Sequence, residues 1–260
     1  MKNINNKKEF VDPITELKWT PVGPKEEVII YRDEDSGTYC RMIRSQPGFG
    51  EEEIYEEGKG CCMHEFNEVV YIVTGGGINT RLRYRYKPGT IGVFPHRVSH
   101  GPLVAPFGRI SLEFRHYIVT EKRNEEGITK TKEFLDPISE LVWETEGVQE
   151  KGASEAMIYR DEDTGTHCRM LKLPEGFGEG GDNEFFSHQF DEVIFIVSGG
   201  LINRKLGHRY QPGSIGVFPA GLSHGPFEAP LGGLLLQFRH NRKKGEGKNI
   251  EPKTISKCCS

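Results

Sequence analysis

Long apolar runs are missing. No stretch of the 260 residues approaches the roughly 18 consecutive apolar positions that a membrane-spanning helix needs, so a membrane is not an expected partner. The opening residues MKNINNKKEF hold no apolar segment of secretory type, and the expectation is a cytoplasmic protein. Positive charge is not in excess: 34 Lys and Arg face 38 Asp and Glu, for a net charge of −4. Without a basic field to hold phosphates, nucleic acid is not an expected partner either. Cysteine is present six times, as Cys40, Cys61, Cys62, Cys168, Cys258 and Cys259. Two adjacent pairs make a poor disulfide framework, and in a reducing compartment all six read as thiols. Cys258-Cys259-Ser260 does not put a cysteine fourth from the end, as a prenylation box requires. Hydrophobic residues make up only 35%, whereas glycine occurs 32 times and proline 15 times. That balance suits short strands and many turns better than a helical bundle.

The strongest signal is internal repetition. Asp12-Pro13-Ile14 with Glu16-Leu17 and Trp19 returns as Asp136-Pro137-Ile138 with Glu140-Leu141 and Trp143, an offset of 124 residues. Tyr31-Arg32-Asp33-Glu34-Asp35 returns at Tyr159-Arg160-Asp161-Glu162-Asp163, offset by 128, so copy two carries a four-residue insertion before this point. The offset is 124 again from His64 and His188 to His116 and His240. Over that span roughly half the positions are identical, which marks the duplication of a whole domain. The expected organisation is a polar tail (1–8), copy one (9–120), a charged linker (121–127), copy two (128–241) and a Lys- and Gly-rich tail (242–260).

Within each copy the pattern is β. Glu68–Val73 and Glu192–Val197 are β-branched and aromatic runs that end before Gly-Gly. Lys87-Pro88-Gly89 and Gln211-Pro212-Gly213 are turns that lead into Ile91–Phe94 and Ile215–Phe218, which stop at Pro95 and Pro219. Short strands with closely spaced turns predict a sandwich or barrel, and no long amphipathic helix is apparent.

Three polar residues recur at matched positions: His64, Glu68 and His100 in copy one, and His188, Glu192 and His224 in copy two. On a strand, positions 64, 66 and 68 share a face, as do 188, 190 and 192. Two imidazoles and a carboxylate inside a small barrel are costly to bury without a partner, and a divalent metal is the common one. Two His with one carboxylate suit Fe(II), Mn(II) or a related ion. A single His on a strand is more often structural, but agreement of all three positions in both copies favours ligation.

These residues resemble the cupin superfamily. Its first motif has two His one residue apart, then a Glu and a closing Gly; here Cys62-Met63-His64-Glu65-Phe66-Asn67-Glu68 runs to Gly75, and Phe186-Ser187-His188-Gln189-Phe190-Asp191-Glu192 runs to Gly199. The second has a Gly followed by Pro-x-Gly-x-x-His; Gly213 and Pro219-Ala220-Gly221-Leu222-Ser223-His224 match, whereas copy one has Gly89 and Pro95-His96-Arg97-Val98-Ser99-His100. The resemblance implies an all-β chain of two tandem cupin barrels of the jelly-roll (double-stranded β-helix) type, a bicupin, with a divalent metal. The family's first His is replaced by Cys62 and by Phe186. Cys62 is a candidate thiolate ligand, although a small buried apolar role is the commoner fate of a free Cys. His100-Gly101-Pro102 and His224-Gly225-Pro226 are also similar to the His-Gly-Pro that follows the last ligand in homogentisate 1,2-dioxygenases.

Further candidates for catalysis are Tyr39 and His167, which occupy equivalent positions, together with His96, Arg115 and Arg239. The two arginines read either as structural groups at a strand end or as anchors for a substrate anion. Asp33-Glu34-Asp35 and Asp161-Glu162-Asp163 read as acidic turns. The leading expectation is a metal-dependent dioxygenase that cleaves a C–C bond in a small oxygenated ring or β-dicarbonyl compound. The alternatives are a non-redox hydrolase or lyase acting on a cyclic 1,3-diketone, and a non-catalytic binding cupin. The expected partner is a small-molecule substrate, with a homo-oligomer compatible with it. Copy two, which keeps the turn glycine Gly221, is the first candidate for turnover.

Overall fold

The structure, a computed structural model, describes residues 9–50, 62–117, 133–179 and 187–242. The expected tail 1–8, linker 121–127, nearly all of the tail 242–260, and Phe186, Cys61, Cys258 and Cys259 lie outside the described residues. Strands follow in the order β1 (Phe10–Val11), β2 (Thr20–Val22), β3 (Lys25–Arg32), β4 (Tyr39–Ser45), β5 (Asn67–Gly75), β6 (Gly77–Asn79), β7 (Tyr84–Tyr86), β8 (Ile91–Phe94), β9 (Leu103–Val104), β10 (Arg109–His116) and β11 (Phe134–Leu135). One four-residue helix, α1 (Pro137–Glu140), precedes β12 (Ser154–Arg160), β13 (His167–Leu173), β14 (Asp191–Gly199), β15 (Leu201–Asn203), β16 (His208–Tyr210), β17 (Ile215–Phe218) and β18 (Gly233–His240). Among the described residues no helix is long and apolar enough to cross a membrane.

The all-β expectation holds, but the sheets do not close into barrels. One unit has a seven-stranded sheet in the order β11-β8-β5-β10-β4-β3-β2 and a small sheet β7-β6-β9; the other has a six-stranded sheet β1-β17-β14-β18-β13-β12 and the ribbon β15-β16. Sheets open at both edges bury their apolar faces by packing one layer on another. Val70 and Ile72 of β5 share a core with Tyr86 of β7, Phe94 and Phe134. Ile194 and Ile196 of β14 do so with Leu201, Tyr210, Phe218 and Phe10.

The units cut the chain differently from the repeat boundaries 9–120 and 128–241. Among the described residues, those up to Leu17 join those from Leu141 onward, and those from Lys18 to Glu140 form the other unit. The physical reason lies in two short strands. Phe10 and Val11 pair with Gly216 and Ile215, in the sheet of copy two, while Phe134 and Leu135 pair with Gly92 and Ile91, in the sheet of copy one. Each repeat therefore lends its first residues to the sheet of the other.

Gly75 and Gly199 end the central strands with φ of +74° and +73°. A Cβ there would lie 2.1 Å from Gly108 O and 2.2 Å from Gly232 O, so the close backbone approach admits only glycine. The acidic turns are as expected: Asp33 Oδ2 accepts from Ser36 Oγ at 2.6 Å, and Asp161 Oδ2 from Thr164 Oγ1 at 3.0 Å.

Candidate metal centres

The structure corrects the local geometry of the first motif. β5 and β14 begin at Asn67 and Asp191, so His64 and His188 sit just before the bend at 65–66 and 189–190 and not on the strand. The bend returns each imidazole toward its own chain. His64 Nδ1 donates to Phe66 O at 2.7 Å, and His188 Nδ1 donates to Phe190 O at 2.7 Å. Each ring also stacks on that phenylalanine, with centroids 4.1 Å apart in both copies.

The loop bearing the third residue is fastened to this bend. Arg97 N–H donates to His64 O at 2.7 Å, and Gly221 N–H to His188 O at 2.8 Å. His96 N–H donates to Asn67 Oδ1 at 3.0 Å, and Ala220 N–H to Asp191 Oδ1 at 2.8 Å. In copy one, Cys62 and His100 also form an antiparallel bridge. The loop ends with His100 Nδ1 donating to Val98 O, and His224 Nδ1 to Leu222 O, both at 3.2 Å. Phe94 and Phe218, the last residues of β8 and β17, stack on His100 and His224 at 4.1 and 4.2 Å.

All four imidazoles thus spend their Nδ1–H on a backbone carbonyl, which leaves Nε2 as a bare lone pair. His64, Glu68 and His100 bring their ligand atoms within 4.8 Å of one another, and so do His188, Glu192 and His224. His64 Nε2 lies 3.5 Å from Glu68 Oε2; His188 Nε2 and His224 Nε2 lie 3.3 and 3.8 Å from Glu192 Oε2. These separations exceed ordinary N–H···O hydrogen bonds of about 2.7–3.2 Å. His64 Nε2 and His188 Nε2 are buried without a hydrogen-bond partner. Three converging acceptors in a buried site call for a cation, and this donor set fits a divalent metal ion. Cys62 is not a member of the copy-one group.

The carboxylates are held from behind. Arg115 Nε donates to Glu68 Oε1 at 2.6 Å, and Arg239 Nε to Glu192 Oε1 at 2.6 Å. One oxygen of each Glu is thereby taken, and the other is left for the two imidazoles. Burial raises the Glu68 carboxyl pKa, but Arg115, together with His64 and His100, outweighs burial and holds it well below the usual range. For Glu192, burial is likewise overcome by His188 and Arg239, and the carboxyl is held down to about 2. His100 and His224 are pushed down chiefly by burial, against the pull of Glu68 and Glu192, which favours the neutral form a ligand requires.

The other candidates take distinct places. Arg115 and Arg239 each direct Nε at the Glu carboxylate of their own triad. Arg115 Nη1 donates to Tyr39 Oη at 2.7 Å and Nη2 reaches Glu113 at 3.2 Å. His167, opposite Arg239 in the β13–β18 pair, donates Nδ1–H to Gly165 O at 2.8 Å, and burial pushes its pKa down. His96 lies within the loop itself and is buried at 5% exposure.

Glu150 is a residue the repeat pattern hides. Glu113 of copy one corresponds to Gln237, which accepts from Arg169 Nε at 2.7 Å and brings no charge. Glu150, beside the insertion, replaces it: Oε1 lies 2.7 Å from Arg169 and 3.2 Å from Arg239. The shifted offset in this region concealed the substitution.

No protein-family model and no curated protein matches the sequence. Solved structures do match in fold. A candidate dioxygenase from Nostoc punctiforme PCC 73102 superposes with a TM-score of 0.65 at 14% identity, covering 94% of this chain and 87% of that one. A cupin 2 conserved barrel domain protein from Leptotrichia buccalis gives 0.61 at 8% identity, covering 92% and 99%. A candidate glyoxylate-induced protein from Pseudomonas aeruginosa gives 0.55 at 11% identity, covering 89% and 86%. At these identities the likeness is one of fold, and the fold is that of the cupins.

Proposed function

We propose that the chain is a bicupin, two tandem cupin domains each holding one divalent metal, and that it is a non-haem dioxygenase cleaving a C–C bond in a small oxygenated ring or β-dicarbonyl substrate. The observation that carries this reading is the pair of matching His/Glu/His groups, each with ligand atoms within 4.8 Å of one another and with one oxygen of its Glu held by an Arg. The fold shared with a protein described as a candidate dioxygenase supports the reaction class. Both triads are equipped alike, with inter-imidazole centroids 4.9 Å apart in each. Copy two remains the first candidate for turnover because Gly221 occupies its loop.

The protein's own part in the chemistry is positioning and electrostatics. The backbone carbonyls of Phe66, Val98, Phe190 and Leu222 fix the imidazole tautomers. Arg115 and Arg239 keep Glu68 and Glu192 ionised and aimed. Phe66, Phe94, Phe190 and Phe218 stack on the faces of the four rings and hold them in place. A bound Fe(II) or Mn(II) would supply Lewis-acid polarisation of substrate oxygens and, for Fe(II), access to dioxygen.

The test is a panel of catechols and cyclic 1,3-diketones offered to anaerobically prepared protein loaded with Fe(II) or Mn(II), with oxygen uptake and product both followed. Dioxygenation predicts uptake of one O₂ per product and no turnover without oxygen. Turnover in the absence of oxygen would instead establish a hydrolase or lyase. Metal binding with no turnover on either class would leave a binding protein.

A further inference from the structure

The exchanged segments carry more than a short strand. Glu133 and Glu9, immediately before β11 and β1, occupy equivalent positions in the repeat. Glu133 Oε1 accepts the backbone N–H of Gly101 at 2.9 Å, and Glu9 Oε1 accepts that of Gly225 at 2.9 Å. Gly101 and Gly225 are the residues directly after His100 and His224. The second carboxylate oxygen is occupied too: Glu133 Oε2 accepts from Asn79 Nδ2, and Glu9 Oε2 accepts from Asn203 Nδ2 at 2.7 Å and from Tyr210 Oη at 3.3 Å. In copy one Arg81 adds an ion pair to Glu133 at 3.1 Å.

The next residue reaches the same histidine from its ring face. Phe134 packs edge-on against Phe94 at 5.6 Å, and Phe94 stacks on His100. Phe10 packs edge-on against Phe218 at 5.5 Å, and Phe218 stacks on His224. A Glu-Phe dipeptide therefore grips each third histidine twice, through the peptide that follows it and through the aromatic ring beneath it. In both cases the dipeptide belongs to the opening residues of the other repeat.

We propose that Glu9 and Glu133 are positioning residues for the metal centres and that they act crosswise, Glu9 on the His188/Glu192/His224 centre and Glu133 on the His64/Glu68/His100 centre. The inference rests on the metal reading of those triads. A carboxylate that fixes the Gly N–H fixes the adjoining His Cα and so the direction of Nε2. Removing such an outer partner typically weakens metal binding about 10–100-fold. It follows that the first dozen residues of the chain govern the metal centre that lies last in the sequence.

The experiment isolates one centre at a time. His64→Ala leaves only the copy-two centre and His188→Ala only the copy-one centre; Glu9→Ala and Glu133→Ala are placed in each background. Mn(II) affinity is measured by electron paramagnetic resonance of the free ion, alongside metal-free unfolding. Glu9→Ala should weaken Mn(II) about 10–100-fold in the His64→Ala background and leave the His188→Ala background unchanged, with Glu133→Ala doing the reverse. Glu9→Gln keeps an acceptor for Gly225 N–H and should recover affinity to within a few-fold. Glu9→Asp keeps the charge but shortens the reach by one methylene and should not, and it carries the comparison if the alanine variant does not fold. An effect on the same-repeat centre, equal effects on both, or lower thermal stability at unchanged Mn(II) affinity would overturn the proposal while leaving the metal reading intact. Wild-type protein that binds no Mn(II) at either centre would overturn both.

Discussion

Replacing Arg239 by methionine would test how the ligand carboxylate is held. Arg239 Nε lies 2.6 Å from Glu192 Oε1, and the two side chains are only 9% and 3% exposed. Methionine retains most of the apolar stem but removes the charge, so Glu192 is left buried without its strongest cationic partner. Removing one member of a buried pair costs about 3–5 kcal/mol, far more than the 0–1 kcal/mol of a surface pair. The same substitution should let the Glu192 carboxyl pKa climb from about 2, with His188 alone left to oppose burial. The loss should therefore be largest near neutral pH and shrink in acid, where protonation discharges the orphaned group. Urea unfolding followed by Trp143 fluorescence reads this directly, because Trp143 lies in the same unit as Arg239 and Trp19→Phe removes the other of the two tryptophans. In a Glu192→Gln background the cost of Arg239→Met should fall by about 2 kcal/mol or more, the coupling expected for contacting residues. A loss below about 1 kcal/mol, or an equal loss in both backgrounds, would refute the argument.

Three further outcomes are expected. Gly75→Ala and Gly199→Ala place a methyl within 2.2 Å of a backbone carbonyl oxygen at positive φ, and each should cost at least about 3 kcal/mol in chemical denaturation; less than about 1 kcal/mol would contradict the close approach. Arg97 adopts φ +58° where copy two has Gly221, and its ion pair with Glu65 at 2.7 Å is exposed, so Arg97→Gly should stabilise the protein by about 0.5–1 kcal/mol, the relief of left-handed strain exceeding the lost pair. The metal-free protein should lose stability in acid in two stages. His100 and His224 have depressed pKa values, so below about 6.5 the unfolded chain binds protons that the folded one does not. Glu68 and Glu192 are depressed as well, so their contribution, present above about 4.5, is lost as pH falls further toward about 2 for Glu192. Unfolding midpoints between pH 8 and pH 3 check this, and a midpoint that rose on acidification would contradict it.

Much of the site was legible in the sequence because duplication supplied an internal control. His64, Glu68 and His100 stood out only because His188, Glu192 and His224 repeated them at one offset. Strand parity gave the right pairing of His64 with Glu68 for a partly different reason: the bend at Glu65-Phe66, and not a continuous strand, turns the imidazole inward. The unit boundaries were not legible. β1 and β11 are two residues long, too short for any period to show, and nothing local tells Phe10 to pair with Gly216, which lies 206 positions away in the chain. The outer layer was hidden for a related reason. Glu9 and Glu133 look like ordinary solvated carboxylates until the exchange brings them to Gly225 and Gly101, and Glu150 sits where the insertion breaks the register of the repeat.

The most direct test of the central claim is the metal content of protein purified without oxygen, set against that of the Glu68→Ala/Glu192→Ala double variant. Wild-type protein should hold between one and two divalent ions per chain, predominantly Fe or Mn, and the double variant should lose them while circular dichroism still shows a folded β protein. Full metal content in the folded double variant would contradict it.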